Sequence, residues 1–457
     1  RRNKSSPKTT KEKKACVSND VEQAHSHGHG AAAAEPEHRQ RRVRWSWFVT
    51  PPLVACIVVS FFTLSRPPEQ SLGWNNFDED YHRRYRRAPP KSLEQWLTFA
   101  LKNDCETVTF YDAIERDLVI FRNQSLSYDK VVEEATKYTD YFAAYQVKDN
   151  RLLITNFQTF FDMTLGKRFE TFILQNSLSW LFRPLQNHKP PLDTKFVLNL
   201  RDEPTDKKNA SYPIFSSCHK SRFNDNLTYP ETHATKSEDE SVPRDLLMPY
   251  YFSIGVLHRG LWFWPFYSRG PSWRQRKDSI VWRGSTTGLP WGDSPRFWLL
   301  EQYGGKGVHE IVPGVDADFA FVRVVQNYDG QALPEKYRRA EAMSYRDIQQ
   351  HKYVLDVDGN SFTERFPKLL RSGSLVFKST TFREWFSERL QPWVDYIPVN
   401  YDLSDLKEKI EWAHSNQDLA ERIAEHGRKT VERHIRPEDQ QCYTYRLLLE
   451  YNALFHS

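Results

Sequence analysis

Three short stretches combine residue types that could handle a phosphorylated ligand. In Arg283-Gly284-Ser285-Thr286-Thr287, with Arg296 downstream, glycine lets the backbone approach a ligand. The hydroxyls can donate, and a guanidinium can fork onto phosphate oxygens. In Asp358-Gly359-Asn360-Ser361-Phe362, followed by Arg365, the pattern predicts a helix cap whose positive dipole end faces the loop, a suitable seat for an anionic diphosphate. Arg365 then falls in a first turn, where acids are preferred, and a bound anion would account for a cation there. In Arg201-Asp202-Glu203-Pro204, Asp202 ends an apolar run and is well placed as a general base. Each stretch also has a plainer reading: a strand-to-loop turn, a surface arginine, and a turn residue before proline. Asp356-Val357-Asp358 spells a D-x-D pair that could hold a divalent cation if strand alternation carries both carboxylates on one face. That pair is frequent by chance, and no metal is expected. The aromatics Trp262, Trp264, Phe266, Tyr267 and Trp273 could stack on a sugar, but they read as core.

Chemistry at such loops needs strands to present them. Lys195–Leu200, Ser279–Trp282, Tyr353–Val357, Ser374–Phe377 and Tyr396–Val399 read as strands. Helices are predicted over Phe362–Ser372, Asp405–Ser415 and Asp418–Ile435, the last two with apolar residues on one face. This alternation predicts an α/β class with a parallel, doubly wound sheet, whose ligands sit at the carboxyl ends of the strands. Residues 93–190 read as mainly helical, and 205–245 as polar loops.

Composition narrows the class. The 457 residues carry 14 Trp, 22 Tyr and 29 Phe, which excludes a disordered chain over most of the length. A net charge of +5 from 64 basic and 59 acidic residues is too balanced to point to nucleic acid. No G-x-G-x-x-G follows a strand, which disfavours a dinucleotide oxidoreductase. Trp45–Leu64 is an uncharged run preceded by Arg39, Arg41, Arg42 and Arg44. It is long enough for a bilayer core and reads as a type II transmembrane signal anchor, its basic flank cytosolic and the bulk lumenal. Residues 1–44, with His25, His27, His29 and His38, read as a disordered cytosolic tail. Residues 65–92, with Arg83, Arg84, Arg86 and Arg87, read as a stem, and globular character is expected from Leu93. The chain begins at Arg1 rather than Met, and its start is read as trimmed. In a lumenal setting Asn123, Asn209 and Asn226 are glycosylation sequons. Five cysteines are too few for a disulfide-built scaffold. Cys105, Cys218 and Cys442 would be the lumenal thiols, enough for one disulfide and one leftover.

Four blocks in order resemble glycosyltransferase family 90: Trp282–Ser285, Tyr353–Arg371, Ser372–Phe377 and Gln391–Val399. The family includes fungal capsule-associated transferases and xylosyltransferases and the Rumi-type protein O-glucosyltransferases. The resemblance implies a GT-B fold, two Rossmann-like halves with a cleft between, here 93–275 on the acceptor side and 276–457 on the nucleotide-sugar side with closing helices. It implies a UDP-sugar donor, UDP-glucose or UDP-xylose, with no essential metal or cofactor and a glycan or glycoprotein acceptor in the Golgi or endoplasmic reticulum. Carried onto this chain, Ser285 and Arg296 contact the donor, with Arg283, Gly284, Gly359, Ser361 and Phe362 around it. Arg365 pairs with the diphosphate, Asp202 is the base, and Cys442 bonds to Cys105, leaving Cys218 free. Two rival functions stay open: a metal-dependent GT-A-type transferase using Asp356 and Asp358, and a non-catalytic sugar-binding or scaffold protein of the secretory pathway.

Overall fold

The computed structural model describes residues 73–136, 142–156, 175–205, 212–220, 245–250, 270–288, 294–326 and 332–456. The tail 1–44, the run 45–64, most of the aromatic-dense stretch before Trp273, and the sequons at Asn209 and Asn226 lie outside them. Among the described residues no helix is long and apolar enough to cross a membrane. The Asn123 sequon is described, and its side chain is exposed.

Among the described residues two larger sheets organise the fold. The first contains β1 (Phe142–Lys148), β2 (Arg151–Asn156), β3 (Thr194–Asn199), β4 (Phe215–Ser216) and β6 (Leu246–Leu247), in the order β2-β1-β3-β4-β6. Here β3, β4 and β6 run parallel, while β1 is antiparallel to both β2 and β3. The hairpin β1–β2 lies inside a stretch expected to be helical. Its turn residues Asp149 and Asn150 have φ of 49° and 61°. A two-residue turn with both φ positive favours these residue types and matches strand twist.

The second sheet contains β7 (Lys277–Ser285), β8 (His309–Val312), β9 (Val315–Arg323), β10 (His351–Val357), β11 (Leu375–Ser379) and β13 (Ile397–Pro398), in the order β13-β11-β10-β7-β9-β8. All neighbours are parallel except β8 and β9. All seven residues of β10 are buried, as expected of a strand covered on both faces. Alternation divides it between two cores: Tyr353 and Leu355 join Ile280, Trp282 and Phe377, while Val354 joins Val281 and Val376 in the core that continues into the first sheet. A small antiparallel pair, β5 (His219–Lys220) with β12 (Phe382–Arg383), also links the two parts.

The predicted helices over 405–435 form at Leu406–Ser415 and Gln417–His434. A further helix, Pro437–Asn452, returns to the first part. Cys442 is disulfide-bonded to Cys105, 337 residues away, and its carbonyl accepts from Trp96 Nε1 at 2.8 Å. The expected stem is corrected here. Trp74–Tyr85 is a helix whose Phe77 and Tyr81 are buried. Tyr81 donates to Glu450 at 2.8 Å, and Arg87 bridges Glu115 at 2.5 Å and Glu450 at 2.7 Å. Packing of the Phe77–Tyr81 face against the C-terminal helix moves the globular boundary from Leu93 back to Trp74.

Candidate active site

Strands β7, β10 and β11 are parallel neighbours, so Ser285, Val357 and Ser379 bring their C-terminal ends together. Ser285, Arg296, Gly359 and Arg365 of the sequence-predicted residues lie around these ends. Arg296 lies in the first turn of helix Pro295–Tyr303, where Ser294 Oγ accepts its backbone N–H. Its guanidinium donates to the carbonyl of Asp358 at 2.9 Å, the carbonyl of Ser285 at 3.0 Å, Ser285 Oγ at 3.3 Å, and Thr287 Oγ1. Burial, then nearby Arg365, pulls its pKa down to about 10. Arg296 therefore clamps the Ser285 loop to the Asp358 loop, with its donors spent on protein oxygens. Gly359 permits this approach: a Cβ there would lie 2.8 Å from both Arg296 Nη2 and Thr287 Oγ1.

The helix predicted to begin at the Asp358–Phe362 loop is also corrected. It spans only Phe366–Arg371, with Arg365 at its N-cap position and no side-chain cap. Gly359 N–H instead bonds the Ser361 carbonyl at 2.9 Å, which folds the loop on itself. The helix start that faces this region is that of Pro295–Tyr303. A Cβ at Gly288, whose φ is +130°, would fall 2.6 Å from Ser294 Oγ, and Gly288 N–H donates to Asn360 Oδ1 at 2.9 Å. Arg283 turns sideways onto β9, bonding the Asp318 carboxylate at 2.9 Å and the Asp318 carbonyl at 2.8 Å. This internal pairing takes its guanidinium away from the ligand role expected of it. Gly284 sits where a Cβ would strike the Trp282 indole at 2.3 Å. Ser361 is buried, and its Oγ has no hydrogen-bond partner among the described residues.

Arg365 keeps a partly exposed side chain, at 35%. It donates to the Arg283 carbonyl and, at 3.2 Å, to Asp356 Oδ1. Behind it stands a buried charge cluster that sequence reasoning missed. Lys378, in the middle of the buried strand β11, places Nζ 2.8 Å from Asp356 Oδ2 and 3.8 Å from Asp358 Oδ1. Burial works to raise the Asp356 pKa, but Lys378, Arg365 and the Thr363 hydroxyl outweigh it and hold it below the usual range. Asp358 is pushed up to about 6, mainly by burial, although it accepts the Thr381 N–H at 2.8 Å. Glu384 is raised well above the carboxylate range by burial, with the Asp356 and Asp358 charges adding to it. Both D-x-D carboxylates thus already engage protein donors, and a cation between them would have to displace Lys378. Among the described residues no three His, Cys, Asp or Glu side chains converge as a metal site.

Asp202 is exposed on the loop after β3. Its carbonyl accepts from the Cys218 thiol at 3.2 Å. Cys218 packs against Phe362 and Phe382, and Tyr250 meets Phe362 edge-on at 5.5 Å. One buried thiol therefore touches both the backbone of Asp202 and the Asp358–Phe362 loop. Burial, then Glu384, pushes the Cys218 pKa well up, so it is a packed thiol rather than a nucleophile. A cavity of about 490 Å³ lined by Arg276, Gln349 and Gly373 lies at the opposite, N-terminal ends of these strands.

Residues 314–457 match the family model described as Glycosyl transferase family 90. Protein O-glucosyltransferase 3 of Rattus norvegicus is 29% identical over 57% of this chain and 46% of its own length. Protein O-glucosyltransferase 2 of Danio rerio is 28% identical over 75% and 62%. Protein O-glucosyltransferase 1 of Homo sapiens is 26% identical over 89% and 93%. The chain spans about half the length of the first of these relatives and about three fifths of the second. A solved structure, Anabaena HepE in complex with UDP-glucose, overlaps with a TM-score of 0.25 at 12% identity, over 37% of this chain and 48% of that one, too slight a likeness to bear on fold or donor. The matched region and these relatives are in keeping with the resemblance to glycosyl transferase family 90 carried by the sequence blocks.

Proposed function

We propose that this protein is an inverting, GT-B-type glycosyltransferase that moves glucose or xylose from a UDP-sugar to a hydroxyl of a glycan or glycoprotein acceptor. The observation that carries the proposal is the proximity of two chemistries. Ser285 and Arg365 border the ends of adjacent parallel strands, and the backbone of Asp202, on the loop after a strand of the other sheet, bonds Cys218, which packs against Phe362 of the Asp358–Phe362 loop. In this reading Asp202 takes the proton of the acceptor hydroxyl. The oxygen attacks the anomeric carbon from the face opposite UDP, the bond from that carbon to the diphosphate oxygen breaks, and UDP leaves with the electron pair. Arg365 and the N-terminal end of helix Pro295–Tyr303 offset the charge that builds on the diphosphate. The relatives, protein O-glucosyltransferases, support the sugar-transfer class. The disulfide supports an oxidising compartment, in keeping with a catalytic part in the secretory lumen held by the run 45–64.

The test is UDP release by the purified chain across UDP-glucose, UDP-xylose, UDP-galactose and UDP-N-acetylglucosamine, with and without chelator. UDP-glucose or UDP-xylose should be turned over in chelator. Asp202→Asn should cost about 10²–10⁴-fold in turnover with UDP affinity retained, while Arg365→Ala should weaken UDP binding itself. No turnover of any donor, or an Asp202→Asn protein as active as wild type, refutes the reading.

A further inference from the structure

A groove of about 860 Å³ lies beside the disulfide, away from the strand ends. Its walls are helix Leu93–Lys102, the turn Arg183–Asn187 with Trp180 before it, and the first three turns of helix Pro437–Asn452. None of the residues lining it belongs to the site described above. The volume falls in the range of small-ligand pockets, and the lining decides which ligand chemistry fits.

Six of the lining side chains are amides: Gln95, Asn103, Gln186, Asn187, Gln440 and Gln441. Three are aromatic: Phe99, Trp180 and Tyr445. Lys102 and Arg183 are offset by Glu438 alone. That near-neutral charge gives little hold on a diphosphate or other polyanion. So many amides make a poor seat for a lipid or the apolar face of a helix, because each would lose water without a replacement partner. A neutral polyhydroxylated ligand suits both features. An amide offers a donor and an acceptor side by side, which matches neighbouring hydroxyls. An aromatic ring offers an apolar surface with a negative face to the C–H side of a pyranose.

The walls are held in advance of any ligand. Gln95 accepts the Lys189 N–H at 2.8 Å and donates back to its carbonyl. Tyr445 is fixed by His188 Nδ1 at 2.7 Å and lies edge-on to Phe99 at 5.8 Å. Gln441 Nε2 donates to the Trp180 carbonyl at 2.8 Å, and the Cys105–Cys442 bond joins the helix walls. At the rim, by contrast, Gln186 and Asn187 are exposed and have no hydrogen-bond partner among the described residues. A rigid aromatic wall with unspent amides at its edge is a preorganised arrangement, which lowers the cost of ordering on binding.

We propose that this groove is a second, non-transferring site that binds a short stretch of neutral saccharide. Its use to hold a glycan acceptor near the transfer site rests on the function proposed above; the binding itself does not. The test is saturation-transfer NMR and calorimetry on the full chain, without nucleotide, using cellotetraose, xylotetraose and mannotetraose as probes. At least one should bind, unaffected by saturating UDP. Gln186→Ala/Asn187→Ala should weaken that binding at least tenfold, with thermal stability and UDP affinity unchanged, and Trp180→Ala should do the same to the saccharide. Absence of binding by all three probes at millimolar concentration overturns the proposal. So does binding that survives in Gln186→Ala/Asn187→Ala, or that is competed by UDP or lost in Arg365→Ala, which would assign the ligand to the strand ends. Saccharide binding without donor turnover would leave the groove standing and remove the transfer reading; turnover without saccharide binding would do the reverse.

Discussion

Replacing Lys378 by Met tests whether the charge cluster behind Arg365 holds the site together. Nζ lies 2.8 Å from Asp356 Oδ2, and neither side chain meets solvent to any extent, at 3% and 0% exposure. At an effective dielectric of about 20 the attraction at that separation is about 6 kcal/mol before desolvation is subtracted. Removing one partner of such a pair strands a buried charge and typically costs about 3–5 kcal/mol. Arg365 remains near Asp356 at 3.2 Å, but it is partly hydrated and compensates less. Lys378→Met should therefore lower unfolding free energy in urea at pH 8 by about 3–5 kcal/mol, a large share of the roughly 5–15 kcal/mol usual for a folded protein. The decisive comparison is the double variant Lys378→Met/Asp356→Asn. With the stranded carboxylate neutralised, it should be more stable than Lys378→Met alone, although it carries one more substitution. If the single change costs under about 1 kcal/mol, or if the double variant is no more stable than the single, the pair is not what organises this end of the sheet.

Three further outcomes follow from the same geometry. Gly359→Ala should cost about 1–3 kcal/mol in a thermal or urea melt, because the added methyl meets the Arg296 clamp at 2.8 Å in a packed setting; a neutral effect would mean that the clamp yields freely. Opening the disulfide with Cys105→Ser/Cys442→Ser should cost about 2–5 kcal/mol, since the bond closes a loop of 337 residues; reductant should reproduce the loss in wild type and leave the variant unchanged. Asp358 has a folded pKa of about 6 against an ordinary 3.8. A raised acid contributes stability that is complete below about pH 4 and is lost as pH rises through about 6. Asp358→Asn should therefore gain on wild type between pH 4 and pH 7 by up to about 3 kcal/mol, and a difference that stays flat with pH would remove burial as the cause.

Part of the second sheet was legible because β7, β10 and β11 carry apolar runs that end in Gly, Ser and Asp loops, and parallel strands need that pattern; β8 and β9 were not read as strands. Alternation could not disclose the first sheet in the same way. Its β1 reads Phe-Ala-Ala-Tyr-Gln-Val-Lys, a mixture compatible with helix, and only the Asp149-Asn150 turn signals a hairpin. The helix Trp74–Tyr85 was hidden by composition: its arginines and acids resemble a solvated stem, while two aromatics, Phe77 and Tyr81, supply its buried contacts. Those contacts are made with a helix more than 350 residues away in the chain, as the Tyr81–Glu450 bond illustrates, and no local pattern encodes that partnership.

At the site, residue type identified the loops but not the direction of each side chain. Arg283, Arg296 and Arg365 are alike in sequence and equally able to fork onto a phosphate. Tertiary partners separate them: Asp318 takes the first, oxygens of Ser285, Thr287, Val357 and Asp358 take the second, and the third keeps an exposed flank. Lys378 carried the opposite lesson. A lysine inside Leu-Val-Phe-Lys-Ser, a run buried at every position, must be paired, because an unpaired buried ammonium would lose its proton or unfold the strand. The acid it needs had to come from a neighbouring strand, and in a parallel register Lys378 stands beside Asp356. The D-x-D pair is, on that register, the counter-charge for a lysine, and Arg365 is oriented by the carboxylate that Lys378 keeps ionised.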